Sequence, residues 1–155
     1  MTEEGITQRN GITLFTIGFA KKSAREFFEI LKQAGVKKLV DIRLNNVSQL
    51  AGFTKKNDLA YFLREIAGID YSHKPDMAPT KEILDGYKKK TLSWAEYEER
   101  FSKVMVERRI ENLVTPSDLD GACLLCSEPK ADKCHRRLVA EYLRDKWGDV
   151  EIRHL

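Results

Sequence analysis

Apolar residues along the chain follow two spacings, one typical of buried strands and one typical of amphipathic helices. Short, largely apolar runs predict strands at residues 12–19, 36–44, 69–73, 122–127 and 150–155. Between them, apolar residues three and four positions apart predict helices that begin near residues 23, 57, 80, 93 and 134. The pattern therefore alternates strands and helices over most of the chain.

Capping signals sharpen the predicted helix starts. Capping boxes are expected at two of them, Ser23 with Glu26 and Ser93 with Glu96. Asn57 or Asp58 is predicted to cap the helix that ends at Gly68. Cys134 falls at or just before the start of the last helix, which runs to about Trp147.

Strands separated by helices of this length indicate βαβ units. We predict a three-layer α/β sandwich, in which a mostly parallel five-stranded sheet carries helices on both faces. Residues 1–155 are expected to form this single domain, since no linker or repeat divides them. The strand order does not follow from the pattern.

Composition limits the class of protein. The chain has 155 residues, is 42% hydrophobic and 33% charged, and has a net charge of +3, which is typical of a globular domain. No apolar stretch approaches the ~18 residues of a membrane span, so we expect a cytoplasmic protein without a membrane partner. Three cysteines late in the chain indicate reduced thiols.

The predicted strands end in charged and reactive side chains. Asp41 and Arg43 lie two residues apart, as do Cys126 and Glu128, so each pair should project on one side of its strand. An internal ion pair of Arg43 with Asp41 or with Glu128 is therefore expected. Ligands of open α/β sheets bind at this edge, which predicts one pocket around these four residues and Cys134.

Cys134 carries the strongest single signal. A thiol at a helix start, beside Lys133, His135 and Arg136, is predicted to have a lowered pKa. Arginines in the first helical turn oppose the helix dipole, and an anionic partner would relieve that conflict. The alternative is that Cys134 is a small packing residue and the arginines face solvent.

Spacing argues against known thiol and metal motifs. Seven residues separate Cys126 from Cys134, which matches neither a redox Cys-x-x-Cys pair nor a zinc ribbon. His73 or His154 could join the two thiols around a metal, but adjacent Cys134 and His135 suit joint ligation poorly. We therefore expect no cofactor and no stoichiometric zinc.

Several segments, taken in order, resemble a known family. They are Thr16-Ile17-Gly18-Phe19, Val40-Asp41-Ile42-Arg43, Gly68-Ile69-Asp70-Tyr71-Ser72-His73, Leu125-Cys126-Ser127-Glu128 and Cys134-His135-Arg136. Together they resemble the bacterial and archaeal family catalogued as domain of unknown function 488, over nearly the whole chain. The resemblance implies an α/β fold and a cytoplasmic setting, but no reaction. It places the shared cluster on Gly18, Ser23, Asp41, Arg43, Ser48, His73, Cys126, Glu128, Cys134, His135 and Arg136.

Three functions remain open. The first is an enzyme or ligand-handling domain. Its ligand would be a phosphate-bearing substrate, either an anionic small molecule such as a nucleotide or a nucleic acid. Arg43 and Arg136 would hold the anion, Cys134 or Cys126 would supply a thiolate, and Glu128 or Asp41 a general base. The second is a non-catalytic metal- or nucleic-acid-binding module that uses the cysteines and a histidine. The third is an interaction protein whose cluster is only a polar network.

Overall fold

Five parallel strands form one sheet in the computed structural model, which describes residues 11–45, 52–128 and 130–155. The strands are β1 (Ile12–Gly18), β2 (Lys38–Asp41), β3 (Asp70–His73), β4 (Ala122–Cys126) and β5 (Val150–His154). Their order across the sheet is β3-β2-β4-β1-β5, and every pairing is parallel. The long apolar strands β1 and β4 thus lie side by side near the middle of the sheet.

Helices connect the strands. They are α1 (Ala24–Ala34), α2 (Lys56–Phe62), α3 (Lys81–Lys88), α4 (Trp94–Arg108), α5 (Pro116–Leu119) and α6 (His135–Trp147). A π-helical turn, Leu63–Ala67, extends α2, and short 3₁₀ turns occupy Gly52–Thr54, Pro75–Met77 and Ile110–Asn112. No helix within the described residues is long and apolar enough to cross a membrane.

Local signals account for most helix boundaries. Both predicted capping boxes are present, at Ser23 before α1 and at Ser93 before α4. The predicted cap of α2 is wrong, because the helix begins at Lys56 and Lys55 precedes it without a side-chain cap. The 3₁₀ turn Gly52–Thr54 leads straight into the helix, and the Lys55 amide donates to the Gly52 carbonyl at 3.3 Å.

The two faces of the sheet carry separate hydrophobic cores, which confirms the predicted three-layer sandwich. One core packs Leu124 of β4 with residues of α4 and α6, including Phe101 and Leu143. The other packs Leu125 of β4 with α1 and α2, including Phe27. Neighbouring residues of a strand point to opposite faces, which explains this division.

The register aligns the carboxyl ends of the three central strands. Gly18 of β1 lies beside Cys126 of β4, and Asp41 of β2 lies beside Leu125. The second strand is shorter than predicted, so Arg43 follows β2 rather than ending it. One edge of the sheet therefore brings together residues from distant parts of the chain.

Candidate active site

Two cysteines and a histidine converge at this edge. Cys126 is the last residue of β4, Cys134 is the N-cap of α6, and His135 is the first residue of that helix. All three are buried, and one ligand atom from each lies within 4.8 Å of the other two. The adjacency of Cys134 and His135 thus does not keep them apart, contrary to the sequence argument.

A backbone carbonyl fixes the orientation of His135. Its Nε2 lies 2.8 Å from the carbonyl oxygen of Ile42. Since a carbonyl oxygen only accepts, Nε2 carries the hydrogen and donates it. The other nitrogen, Nδ1, lies 3.3 Å from Sγ of Cys126. The two groups are therefore placed to share one proton, with the imidazole as its acceptor.

Among the three thiols, Cys126 is the acidic one. Its pKa is lowered chiefly by the hydrogen bond that the Cys134 thiol donates, although burial opposes the shift. Backbone hydrogen bonds from Ser127 and Glu128 lower the pKa of Cys126 further. Because Cys126 ends β4, backbone N–H groups of the loop that follows the strand can donate hydrogen bonds to its sulfur.

The expectation that Cys134 is the acidic thiol is wrong. Its thiol makes no cap hydrogen bond to α6. The pKa of Cys134 is raised, first because its thiol hydrogen-bonds Cys126 and then because it is buried. The remaining thiol, Cys123, belongs to the core on the opposite face, and burial raises its pKa as well.

Arg136 lies behind the cluster rather than in the open. It is 1% exposed, and its Nη1 donates to the carbonyl oxygen of Glu128 at 2.6 Å. Its Nε donates to Oγ1 of Thr16 at 3.2 Å. The partial negative charge of this carbonyl oxygen faces the guanidinium at the start of α6. The hydrogen bond therefore holds the loop after β4 against that helix. Gly18 packs against this same carbonyl and leaves no room for a side chain.

Of the two partners expected for Arg43, Asp41 and Glu128, the structure pairs it with Asp41. Nε and Nη2 of Arg43 donate to the two carboxylate oxygens of Asp41, at 2.8 and 2.7 Å. Nη2 also donates to the carbonyl of Thr54 at 2.6 Å, and the Tyr71 hydroxyl donates to Asp41 at 2.6 Å. Asp41 is completely buried, so this network ties β2 to β3 and to the turn before α2.

An open cleft of about 1210 Å³ lies above the cluster, between the sheet edge and the helices α3 and α4. Its lining includes five of the residues singled out by the sequence: Arg43, Cys126, Glu128, Cys134 and His135. Asp41 is not among its lining residues, so the expected pocket around the four strand-end residues and Cys134 forms without Asp41. The odd positions of β2 face the other core, which explains the exception.

Three other singled-out residues have hydrogen-bond partners away from the thiols. Ser23 caps α1 through the Glu26 amide. His73 contacts the Arg43 carbonyl at 2.8 Å, and His154 contacts Oγ1 of Thr16 at 2.6 Å, so neither joins the thiols. Ser48 lies outside the described residues. The histidine beside the thiols is His135.

Sequence reasoning missed the outer wall of the cleft. Three aromatic residues of α3 and α4 form it: Tyr87, Trp94 and Tyr97. The last two stack, with ring centroids 4.6 Å apart. Lysines 81, 88, 90 and 133 also line the cleft. The helical spacing of Trp94 and Tyr97 predicts packing residues, and nothing in that spacing distinguishes the wall of a cleft from a buried core.

Comparisons with known proteins agree with this picture only at the level of the family. Neither the curated proteins nor the solved structures yield a match. The model of the family described as "Domain of unknown function DUF488" matches residues 23–143, which includes the cysteine and histidine cluster. The chain therefore belongs to the DUF488 family.

Proposed function

We propose that this protein is a thiol-dependent enzyme that binds a phosphate-bearing substrate, such as a nucleotide or nucleic acid, in the cleft. The observation that carries the proposal is the 3.3 Å contact between Sγ of Cys126 and Nδ1 of His135, whose other nitrogen is held by Ile42. A thiol beside an oriented base is the arrangement that generates a nucleophile. Reduced thiols also suit the cytoplasm.

Each group has a distinct part in the proposed reaction. His135 takes the proton of Cys126, and the sulfur then bonds to an electrophilic atom of the substrate. The bond from that atom to its leaving oxygen breaks, and the proton held by His135 passes to that oxygen. Glu128, exposed at the rim, takes a proton from the water that cleaves the enzyme–substrate bond and restores the thiolate.

Lysines, rather than the two arginines, support the anionic substrate class. Arg43 and Arg136 are committed to internal partners. Lys88, Lys90 and Lys133 line the cleft and have no ion pair with any residue that the structure describes. Primary ammonium groups of this kind bind phosphate as point charges.

A trapping experiment tests the proposal. The protein is mixed with nucleotides, sugar phosphates and short oligonucleotides, quenched in acid and weighed intact by mass spectrometry. We expect one ligand class to leave a covalent adduct on wild type and on Cys123→Ser, but not on Cys126→Ser. Lys88→Ala with Lys133→Ala should weaken binding of the same ligand several-fold. The proposal is wrong if no phosphate compound binds, or if the adduct persists in Cys126→Ser.

A metal-binding module is the second candidate, favoured by one observation. The three ligand atoms of Cys126, Cys134 and His135 lie within 4.8 Å of one another. A ligating histidine commonly donates its second N–H to a carbonyl, as His135 does to Ile42. One equivalent of zinc in protein purified without added metal, lost in Cys126→Ser and kept in Cys123→Ser, would replace the first candidate with this one.

A further inference from the structure

The hydroxyl of Tyr97 is a buried polar group inside the cleft. Tyr97 lies on α4 and is 3% exposed, and its ring is enclosed by other aromatic rings, among them Trp94 and Phe101. It nevertheless lines the cleft. Its hydroxyl makes no hydrogen bond with any residue that the structure describes.

Two other tyrosines behave differently. The hydroxyl of Tyr71 donates to Asp41 at 2.6 Å, and that of Tyr142 donates to Glu111 at 2.7 Å. Both residues are more exposed than Tyr97. Buried hydroxyl groups in proteins nearly always have a partner, so an exception calls for an explanation. Packing alone does not supply one, because a phenylalanine ring would fill the same space.

The surroundings of Tyr97 indicate what its partner is. Cys126, Cys134 and Glu128 are near enough to act electrostatically on the hydroxyl, and all three line the same cleft. A hydrogen-bond donor therefore lines the same cleft as the proposed nucleophile. A phosphate bound over Cys126 would offer oxygen atoms that can accept it.

We infer that Tyr97 is a substrate-binding residue, whose hydroxyl donates a hydrogen bond to an oxygen of the phosphate group bound over Cys126. This inference rests on the proposed function, since it assumes a phosphate-bearing ligand. It adds an uncharged hydrogen-bond donor from α4 to the thiols, His135 and lysines already assigned to the site.

The test uses phenyl phosphate as the probe and the alkylation of Cys126 by iodoacetamide as the readout. The concentration of phenyl phosphate that halves the alkylation rate is measured for wild type, Tyr97→Phe and Tyr142→Phe. We expect that concentration to rise roughly 3- to 10-fold in Tyr97→Phe, the effect of losing one hydrogen bond. It should stay within about twofold of wild type in Tyr142→Phe, whose hydroxyl bonds Glu111 outside the cleft.

Thermal unfolding of the ligand-free proteins separates binding from a structural role. The unfolding midpoint of Tyr97→Phe should be no lower than that of wild type, because the variant loses no internal hydrogen bond. That of Tyr142→Phe should fall, because Glu111 loses its partner.

The outcomes test the role of Tyr97 separately from the proposed function. Equal protection of wild type and Tyr97→Phe would overturn the role of Tyr97 and leave the proposed function standing. A lower unfolding midpoint in Tyr97→Phe would assign the hydroxyl to structure and overturn the inference. No protection of wild type would overturn the phosphate class, and this inference with it.

Discussion

Replacing Gly18 with alanine should disrupt both the fold and the site, because no space exists for a methyl group there. A Cβ at this position would lie 1.5 Å from the carbonyl oxygen of Glu128 and 2.8 Å from Nη1 of Arg136. The first of these atoms belongs to the backbone and cannot simply rotate away. The loop after β4 must therefore move for Gly18→Ala to fold.

The magnitude follows from the contacts that such a movement breaks. Phe19 donates to the carbonyl of Cys126 at 3.2 Å and Ala20 to that of Ser127 at 2.9 Å. Arg136 donates to the carbonyl of Glu128 at 2.6 Å. Each hydrogen bond contributes about 1 kcal/mol, and forced overpacking costs a further ~1–3 kcal/mol. We expect Gly18→Ala to lower the free energy of unfolding by about 4–6 kcal/mol.

Urea unfolding followed by circular dichroism measures this loss, and two glycines supply controls. Gly52→Ala should be nearly neutral, because none of the described residues beyond its chain neighbours has an atom within 4 Å of the added methyl group. For Gly86→Ala the nearest atoms belong to the flexible side chains of Leu92 and Thr91, at 2.8 Å or more, so its loss should fall between the two. A loss below about 1 kcal/mol in Gly18→Ala would refute the close-packing argument.

Two further predictions concern buried ionisable groups. Arg43→Leu should lower the free energy of unfolding in urea by about 3–5 kcal/mol, because it leaves the buried carboxylate of Asp41 without its cationic partner. Arg153→Leu, which removes the exposed pair with Glu151, should lower it by less than about 1 kcal/mol. Similar losses in the two variants would contradict this reasoning. Burial lowers the pKa of His135, so the unfolded chain takes up a proton first as the pH falls below the ordinary value of 6.5. The free energy of unfolding should therefore decrease below that pH, and the decrease should be smaller in His135→Gln; an unchanged slope in that variant would show that another group is responsible.

The sequence predicted that the reactive side chains lie at one edge of the sheet, but not which cysteine has the lowered pKa. Alternating strands and helices predicted the sandwich, and strand ends predicted its reactive edge. Which of two neighbouring thiols ionises depends on the distance between them and on the loop amides, and spacing does not contain that information. The helix start and its basic neighbours therefore favoured Cys134 as the acidic thiol, whereas the contacts favour Cys126.

Two other residues show the same limit. The spacing of Asp41 and Arg43 correctly indicated an ion pair, but the face that β2 turns toward the cleft depends on the strand order, which the pattern did not provide. The helical spacing of Tyr97 predicts a core residue. Tyr97 is indeed buried, but its place in the wall of the cleft depends on how α4 packs across from the sheet edge, which the spacing does not contain.

The identity of the acidic thiol tests the central claim most directly. Alkylation by iodoacetamide is followed across pH, with each cysteine quantified by peptide mass spectrometry. The account predicts that Cys126 reacts first, with a midpoint below the ordinary thiol value of about 8.5, and that Cys134→Ala raises this midpoint by removing the hydrogen-bond donor. Cys123 should react slowly throughout, because it is buried in the opposite core. A midpoint for Cys126 at or above about 8.5, or faster alkylation of Cys134, would contradict the account.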